Sequence, residues 1–299
     1  MEFPWDGAYF DRCFQAALPA IPGAFCRLRS RDSPPEPPSP GEDTLGHFPY
    51  QVHYRPQVDS TNTQMEQWLR QGYPHGTVLI AGSQGAGRGQ WDRVWQSEPG
   101  GLYLSLGLRP PLPPGEAQRL NFGTLWGVVR GLQQVGIPVD IKWPNDLVLG
   151  GRKLGGVLVE THIRGDRLDR AIVGIGLNWR NPVPPEGVNL AAYGAIDRLE
   201  TLAAWVLAGL ALGYDSWLDC DRPLADLIPT YLPYLANLGQ WIPLPAPAPP
   251  NPPSLSQQPL GQVVGLTPQG ALILQTSDGQ RHSFSPGTLR LGYGHTPKS

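Results

Sequence analysis

Two segments of the chain concentrate residue types that do chemistry on anions. Residues 81–95 read AGSQGAGRGQWDRVW. Gly85, Gly87 and Gly89 let a backbone approach a ligand closely. Arg88 and Arg93 offer guanidinium donors suited to anionic oxygens, and Trp91 and Trp95 add apolar surface. A glycine-hinged loop of this kind suits a lid over a charged, partly apolar ligand; the plain alternative is a glycine-rich surface turn over one buried tryptophan. Residues 142–160 read KWPNDLVLGGRKLGGVLVE. Pro144 stops a strand and fixes a rigid turn carrying Asn145 and Asp146, while Gly155 and Gly156 clear space for a neighbouring group. On a two-stranded hairpin, Lys142 and Lys153 can converge on one site; the alternative is an edge hairpin with solvated lysines. Fixed cations on a lid and a hairpin suit a ligand with anionic oxygens.

Several familiar sites are excluded. No Gly-Lys-Ser/Thr occurs, so there is no Walker A loop. The glycine spacing also fails the dinucleotide fingerprint. The six histidines (His47, His53, His75, His162, His282 and His295) lack metal-ligand spacing, and no Ser-His-Asp or Cys-His arrangement is recognisable. Cys13, Cys26 and Cys220 are odd in number and lack CxxC spacing, which speaks against a disulfide framework or a zinc site.

The elements that must position these residues follow from pattern. Asp59, Ser60 and Thr61 can cap a short helix that ends at Gly72. Thr77–Ala81 reads as a buried strand, and the alternating Leu102, Leu104, Leu106 and Leu108 as a second. Leu120–Val135 has helical spacing. Val139–Trp143 is a short strand, and the run from Asp146 is a hairpin turning at Gly150–Gly151. Ala171–Trp179 is a strand, Arg198–Leu218 a long apolar helix, and a second helix runs through Asp226–Leu238. This pattern gives an α+β fold, a sheet covered by helices. Near the C-terminus, Gln262–Leu266, Ala271–Thr276, His282–Phe284 and Thr288–Leu291 read as strands of a small SH3-like β module. The domain reading is a proline-rich, weakly ordered leader (1–50), a catalytic domain (51–242), a proline-rich linker (243–259) and the β domain (260–293). The aromatics of the leader, Phe3, Trp5, Tyr9, Phe10 and Phe14, could dock on the body.

Taken together, Ser60-Thr61-Asn62, Gln84, Gly87-Arg88-Gly89 with Trp95, Lys142-Trp143-Pro144-Asn145-Asp146, Lys153 eleven residues on, and Gly174-Ile175-Gly176-Leu177-Asn178 resemble the biotin protein ligases in order and near spacing. Gly265, Gly270-Ala271-Leu272 and Pro286-Gly287-Thr288 resemble that family's small C-terminal barrel. The resemblance implies a mixed β-sheet flanked by helices, followed by the barrel. It implies an ATP-dependent ligase that forms biotinyl-5′-AMP and passes biotin to a lysine of the biotin carboxyl carrier protein of acetyl-CoA carboxylase. Ser60, Thr61, Asn62 and Gln84 would hold biotin. Arg88, Gly89 and Gln90 would sit in the loop that orders over biotin and adenylate. Lys153 would meet the biotin carboxylate and the α-phosphate, with Arg88 as its catalytic companion. Trp95, Lys142, Asn145 and Asn178 would face the adenylate, and Asp146 a Mg²⁺ ion brought with ATP. The family loop often continues with a second arginine and then a glycine, where this chain has Gln90 and Asp92. A lipoate or octanoyl ligase and a non-catalytic biotin-binding relative are the competing readings.

Bulk composition agrees with such an enzyme. The 299 residues carry a formal net charge of −2 and only 16% charged residues. No single-sign field exists to recruit nucleic acid or an anionic membrane. The leader is too short and proline-rich for a helix-turn-helix, so no DNA-binding role is expected. The first residues lack a signal peptide's basic start and apolar run, and the expected location is cytoplasmic. Monomer and homodimer both remain open.

Overall fold

A computed structural model describes residues 5–21, 26–28, 48–218, 222–244, 259–289 and 291–293. Its centre is an eight-stranded mixed sheet made of β1 (Cys26–Leu28), β2 (Phe48–Arg55), β3 (Thr77–Ala81), β4 (Gly101–Leu108), β5 (Asp140–Lys142), β6 (Asp146–Leu149), β7 (Arg152–Arg164) and β8 (Arg167–Asn178). The strand order is β1-β2-β3-β4-β8-β7-β6-β5. The first two pairings are parallel and the rest antiparallel. β3 and β4 are buried along their whole length, as expected of strands covered on both faces.

Period-two alternation sorts the sheet's side chains onto two layers. Val78 and Ile80 face the main core under α3 (Gln118–Gln133) and α4 (Leu199–Trp217), whereas Leu79 faces the smaller cluster under α2 (Thr61–Arg70) with Met65, Trp68 and Leu69. α3 and α4 touch backbone to backbone. Gly127 lies against the Gly209 carbonyl and Gly213 against that of Gly123, so a Cβ at any of these positions would drive the helices apart. Small residues four apart on both helices make that approach possible.

The N-terminal segment differs from the weakly ordered leader expected there. α1 (Gly7–Ala20) is capped by Asp6, whose side chain accepts from the Tyr9 amide. It packs against α4 and β2. Phe10 and Phe14 are fully buried, with ring centroids 5.8 Å apart, and Phe14 meets Tyr50 edge-on at 5.7 Å. Asp6 N–H also donates to Glu200 Oε1 at 2.6 Å. Burial of the aromatic stripe outweighs the helix-weakening composition. Residues 1–4 (with Phe3), 22–25 and 29–47 of the leader, and positions 245–258 of the expected linker, lie outside the described residues.

The second helix expected near Asp226–Leu238 is shorter. α5 (Leu224–Tyr231) gives way to a 3₁₀ turn at Leu232–Tyr234, because Pro229 and Pro233 cannot donate to the helical ladder. Beyond it β9 (Trp241–Pro243), β10 (Leu260–Leu266), β11 (Leu272–Gln275) and β12 (Arg281–Phe284) form the expected small β module, an antiparallel sheet ordered β12-β11-β10-β9. Of its expected last strand, Thr288–Leu291, the described residues show a single bridge between Pro286 and Leu289, and Arg290 lies outside them. Trp143 Nε1–H donates to Gly270 O at 2.8 Å and ties the module to the eight-stranded sheet.

Candidate active site

A cavity of about 470 Å³ opens between the glycine-rich loop, the face of β7–β8 and the C-terminal module. Ser60, Thr61, Asn62, Gln84, Arg88, Gly89, Gln90, Trp95, Lys142, Asn145, Asp146 and Lys153 all line it. That volume lies in the range of small-molecule pockets.

One end is built by the start of α2. Ser60 is the N-cap and accepts from the Thr63 amide at 3.4 Å. Thr61 donates through both N–H (2.8 Å) and hydroxyl (3.1 Å) to Gln84 Oε1, and Gln84 Nε2 donates to Ser97 Oγ at 2.8 Å. Asn62 Oδ1 accepts from Ser105 Oγ at 2.6 Å, while its amide donates to Glu160 Oε2 at 2.6 Å. These chained bonds fix the amide orientations and leave little rotamer freedom at this end. Gly174 and Gly176 on β8 explain the floor. A Cβ at the first would strike the Asn62 amide, and one at the second would lie 2.5 Å from Trp95 Nε1.

The loop is an ordered hairpin. Gly89 N–H donates to Arg93 O at 2.7 Å and Trp95 N–H to Gly87 O at 2.9 Å. Its tip turns through Trp91 and Asp92, both left-handed with φ of 59° and 57°. Arg88 turns away from the lysines and pairs with Glu160 Oε2 at 2.9 Å. Trp91 rests over Gly287 of the C-terminal module, where a Cβ would come within 2.6 Å of the indole.

The opposite end gathers cations around one carboxylate. Lys153 Nζ lies 2.7 Å from Asp146 Oδ1, and Lys142 Nζ 3.9 Å from Asp146 Oδ2. Lys142 and Asp146 are cross-strand partners on β5 and β6. Lys153 reaches the same face only because the β6–β7 register shifts between Leu147 and Val148. Strict alternation from Gly156 would present Leu154 there instead; the extra residue re-aims the lysine. Burial holds the Lys142 ammonium down to about 8; Asp146 opposes that shift, whereas Lys153 and Arg93 add to it. The Trp95 ring sits 5.2 Å from Lys153 Nζ, and its buried indole N–H has no hydrogen-bond partner among the described residues.

Asn178, expected beside adenine, does not line the cavity. It is buried behind β7, where its amide donates to Val188 O at 3.2 Å and to Lys153 O at 3.5 Å. It props the backbone that carries Lys153. Asn145 lies in the cavity wall, with its amide on Val157 O at 2.6 Å. Arg93, read in the sequence as the second guanidinium of the loop, lines the same cavity. Two residues at the site were missed in the sequence. Glu160 is on β7, in a run that reads as an ordinary strand. Tyr293 follows the last strand and carries no motif signal; it donates to Asp146 Oδ2 and lies under Lys142. Among the described residues no group of three or more His, Cys, Asp or Glu could hold a metal ion.

Residues 54–178 match the biotin/lipoate A/B protein ligase family, and residues 255–288 match the biotin protein ligase C terminal domain. The fold is thus that of the biotin/lipoate A/B protein ligases, followed by that family's C-terminal domain. The bifunctional ligase/repressor BirA of Bacillus subtilis is 30% identical over 243 residues, covering 78% of this chain and 71% of that protein. A biotin--[acetyl-CoA-carboxylase] ligase of Mycobacterium tuberculosis is 30% identical over 181 residues, 56% of this chain and 66% of that one. The biotin protein ligase from Aquifex aeolicus solved with biotin and ATP superposes with a TM-score of 0.63 at 26% identity, over 81% of this chain and 99% of that one. The chain belongs to the biotin protein ligase family.

Proposed function

We propose that the cavity binds biotin and ATP side by side, joins them as biotinyl-5′-AMP, and delivers the biotinyl group to a lysine of a biotin carboxyl carrier protein. The observation that carries this reading is one 470 Å³ cavity walled by a polar amide cradle at one end and by Lys142, Lys153 and Asp146 at the other. Support comes from the Aquifex aeolicus structure, which holds both biotin and ATP, and from relatives named as ligases for acetyl-CoA carboxylase.

In the first step a biotin carboxylate oxygen attacks the α-phosphorus, and pyrophosphate leaves with the bonding electron pair. Two anions must meet, so fixed positive charge is the main requirement. Lys153 gives up Asp146 for the carboxylate and α-phosphate. Arg88 leaves Glu160 as the loop tightens over the mixed anhydride and shields it from water. Ser60, Thr61, Asn62 and Gln84 orient biotin; Gly89 and Gln90 cover it. Trp95, Lys142 and Asn145 border the nucleotide, and Asn178 acts through the Lys153 backbone. Asp146 would be the carboxylate that holds a Mg²⁺ ion brought with ATP, an ion that would neutralise polyphosphate charge. In the second step the neutral ε-amine of the acceptor attacks the acyl carbon, AMP leaves with the bonding electron pair, and the nitrogen's surplus proton passes to solvent.

Mass spectrometry of a carrier domain incubated with the protein, biotin and ATP tests the reading. One added biotinyl group, absent without ATP, is expected. Addition of lipoate or octanoate in preference to biotin would replace the substrate assignment. Tight adenylate binding without carrier modification would replace it with a binding role.

A further inference from the structure

The last described residues of the chain enter the cavity from the C-terminal module. Tyr293 reaches past β5 and donates its hydroxyl to Asp146 Oδ2, the oxygen that faces Lys142. Its ring carries the Lys142 ammonium 3.8 Å from the centroid. Lys142 is itself nearly buried, with 8% of its side chain exposed. A buried ammonium requires partners on every open side. Here one side is a carboxylate oxygen nearly 4 Å away and another is an aromatic face, whose quadrupole attracts a desolvated cation.

We propose that Tyr293 is a positioning residue for the nucleotide half of the reaction, holding Lys142 and Asp146 in the arrangement that receives ATP. The inference rests on reading the cavity as a biotin and ATP site, and it assigns a role to a side chain outside the catalytic sheet. Tyr293 clamps both members of the Lys142–Asp146 pair at once, by ring and by hydroxyl. The β5–β6 turn alone sets only their Cα separation. Without the ring, the Lys142 ammonium has room to swing off the pair. Without the hydroxyl, Asp146 keeps both lysines but loses its third partner. The biotin cradle formed by Ser60, Thr61, Asn62 and Gln84 has no bond to Tyr293, so its affinity is insulated from the change.

The test compares the full-length protein with Tyr293→Phe, Tyr293→Leu, Lys142→Ala and the Lys142→Ala/Tyr293→Leu double variant. Two quantities are read: KM values for ATP and for biotin in biotin-dependent pyrophosphate exchange, and the Kd of α,β-methylene-ATP with biotin at saturation. Tyr293→Leu is expected to raise both ATP values about tenfold, equivalent to about 1.4 kcal/mol, while the biotin KM stays within twofold. Tyr293→Phe keeps the ring and recovers most of the loss. In the Lys142→Ala background the leucine substitution adds less than twofold. Unchanged ATP values, equal shifts in the ATP and biotin constants, or full additivity with Lys142→Ala would each overturn the proposal. Tighter ATP binding in Tyr293→Leu would do so as well, making Tyr293 a plug. Analogue binding without any exchange by the wild type would defeat the catalytic reading, yet the analogue Kd series would still decide the role of Tyr293.

Discussion

Replacing Lys153 with alanine removes the cation that the site holds in reserve for the reacting anions. Lys153 Nζ sits 2.7 Å from Asp146 Oδ1, with about a quarter of its side chain exposed. Turned to a phosphate oxygen at the same 2.7 Å distance, it would contribute about 3–6 kcal/mol at an effective dielectric of roughly 20–40. The pair it gives up with Asp146 cancels part of that. What remains for charge gathering in the transition state is about 3–4 kcal/mol, a 10²–10³-fold loss in adenylation. The fold should tolerate the change. Asp146 keeps Tyr293 and Lys142, and a partly exposed ion pair is worth about 1 kcal/mol or less. Pyrophosphate exchange and a thermal melt on one preparation provide the check. A variant exchanging within tenfold of wild type, with an unaltered melt, would remove Lys153 from the chemistry and leave it as a surface counter-ion of Asp146.

Glu160→Gln should lower the KM for biotin two- to fivefold. The half-exposed Arg88–Glu160 pair at 2.9 Å is worth about 0.5–1 kcal/mol, and the amide can still accept from Asn62; a raised KM would show that Glu160 orders the cradle rather than restraining the arginine. Phe10→Ala should cost about 3–4 kcal/mol in urea unfolding, because the ring is fully buried between Trp5 and Phe14; a loss below 1 kcal/mol would mean that α1 does not dock in solution. His75 accepts from the Arg109 amide at 3.0 Å, and burial, with Arg109 adding to it, lowers its pKa to about 4. The unfolded chain therefore binds the extra proton first. Its contribution, at most about 3 kcal/mol, is present above pH 6.5 and lost as pH falls toward 4; His75→Asn should flatten the slope of unfolding free energy between those limits, and an identical slope would refute the assignment.

The chain's own order of residues determined much of this. Glycine hinges with arginines, a proline-stopped strand bearing Lys142, and a Gly150–Gly151 turn are local facts, and the turn glycines take the positive φ values of 57° and 75° that such a hairpin needs. Thr77–Ala81 likewise reads as a buried strand, and the structure then divides it, with Val78 and Ile80 in the main core and Leu79 in the cluster under α2. Other features depended on partners far along the chain. The proline-broken start reads as weakly ordered until α4 supplies a surface for Phe10 and Phe14. Asn178 sits in a motif shared with a family site, yet its amide is turned to the Lys153 carbonyl. Glu160 is indistinguishable from any strand carboxylate until Arg88 folds onto it. Tyr293 lies 147 residues from Asp146. Period and turn chemistry are written in neighbouring residues. The facing of a side chain across a bulge, and the charge it meets there, depend on which distant segment fills the adjoining space.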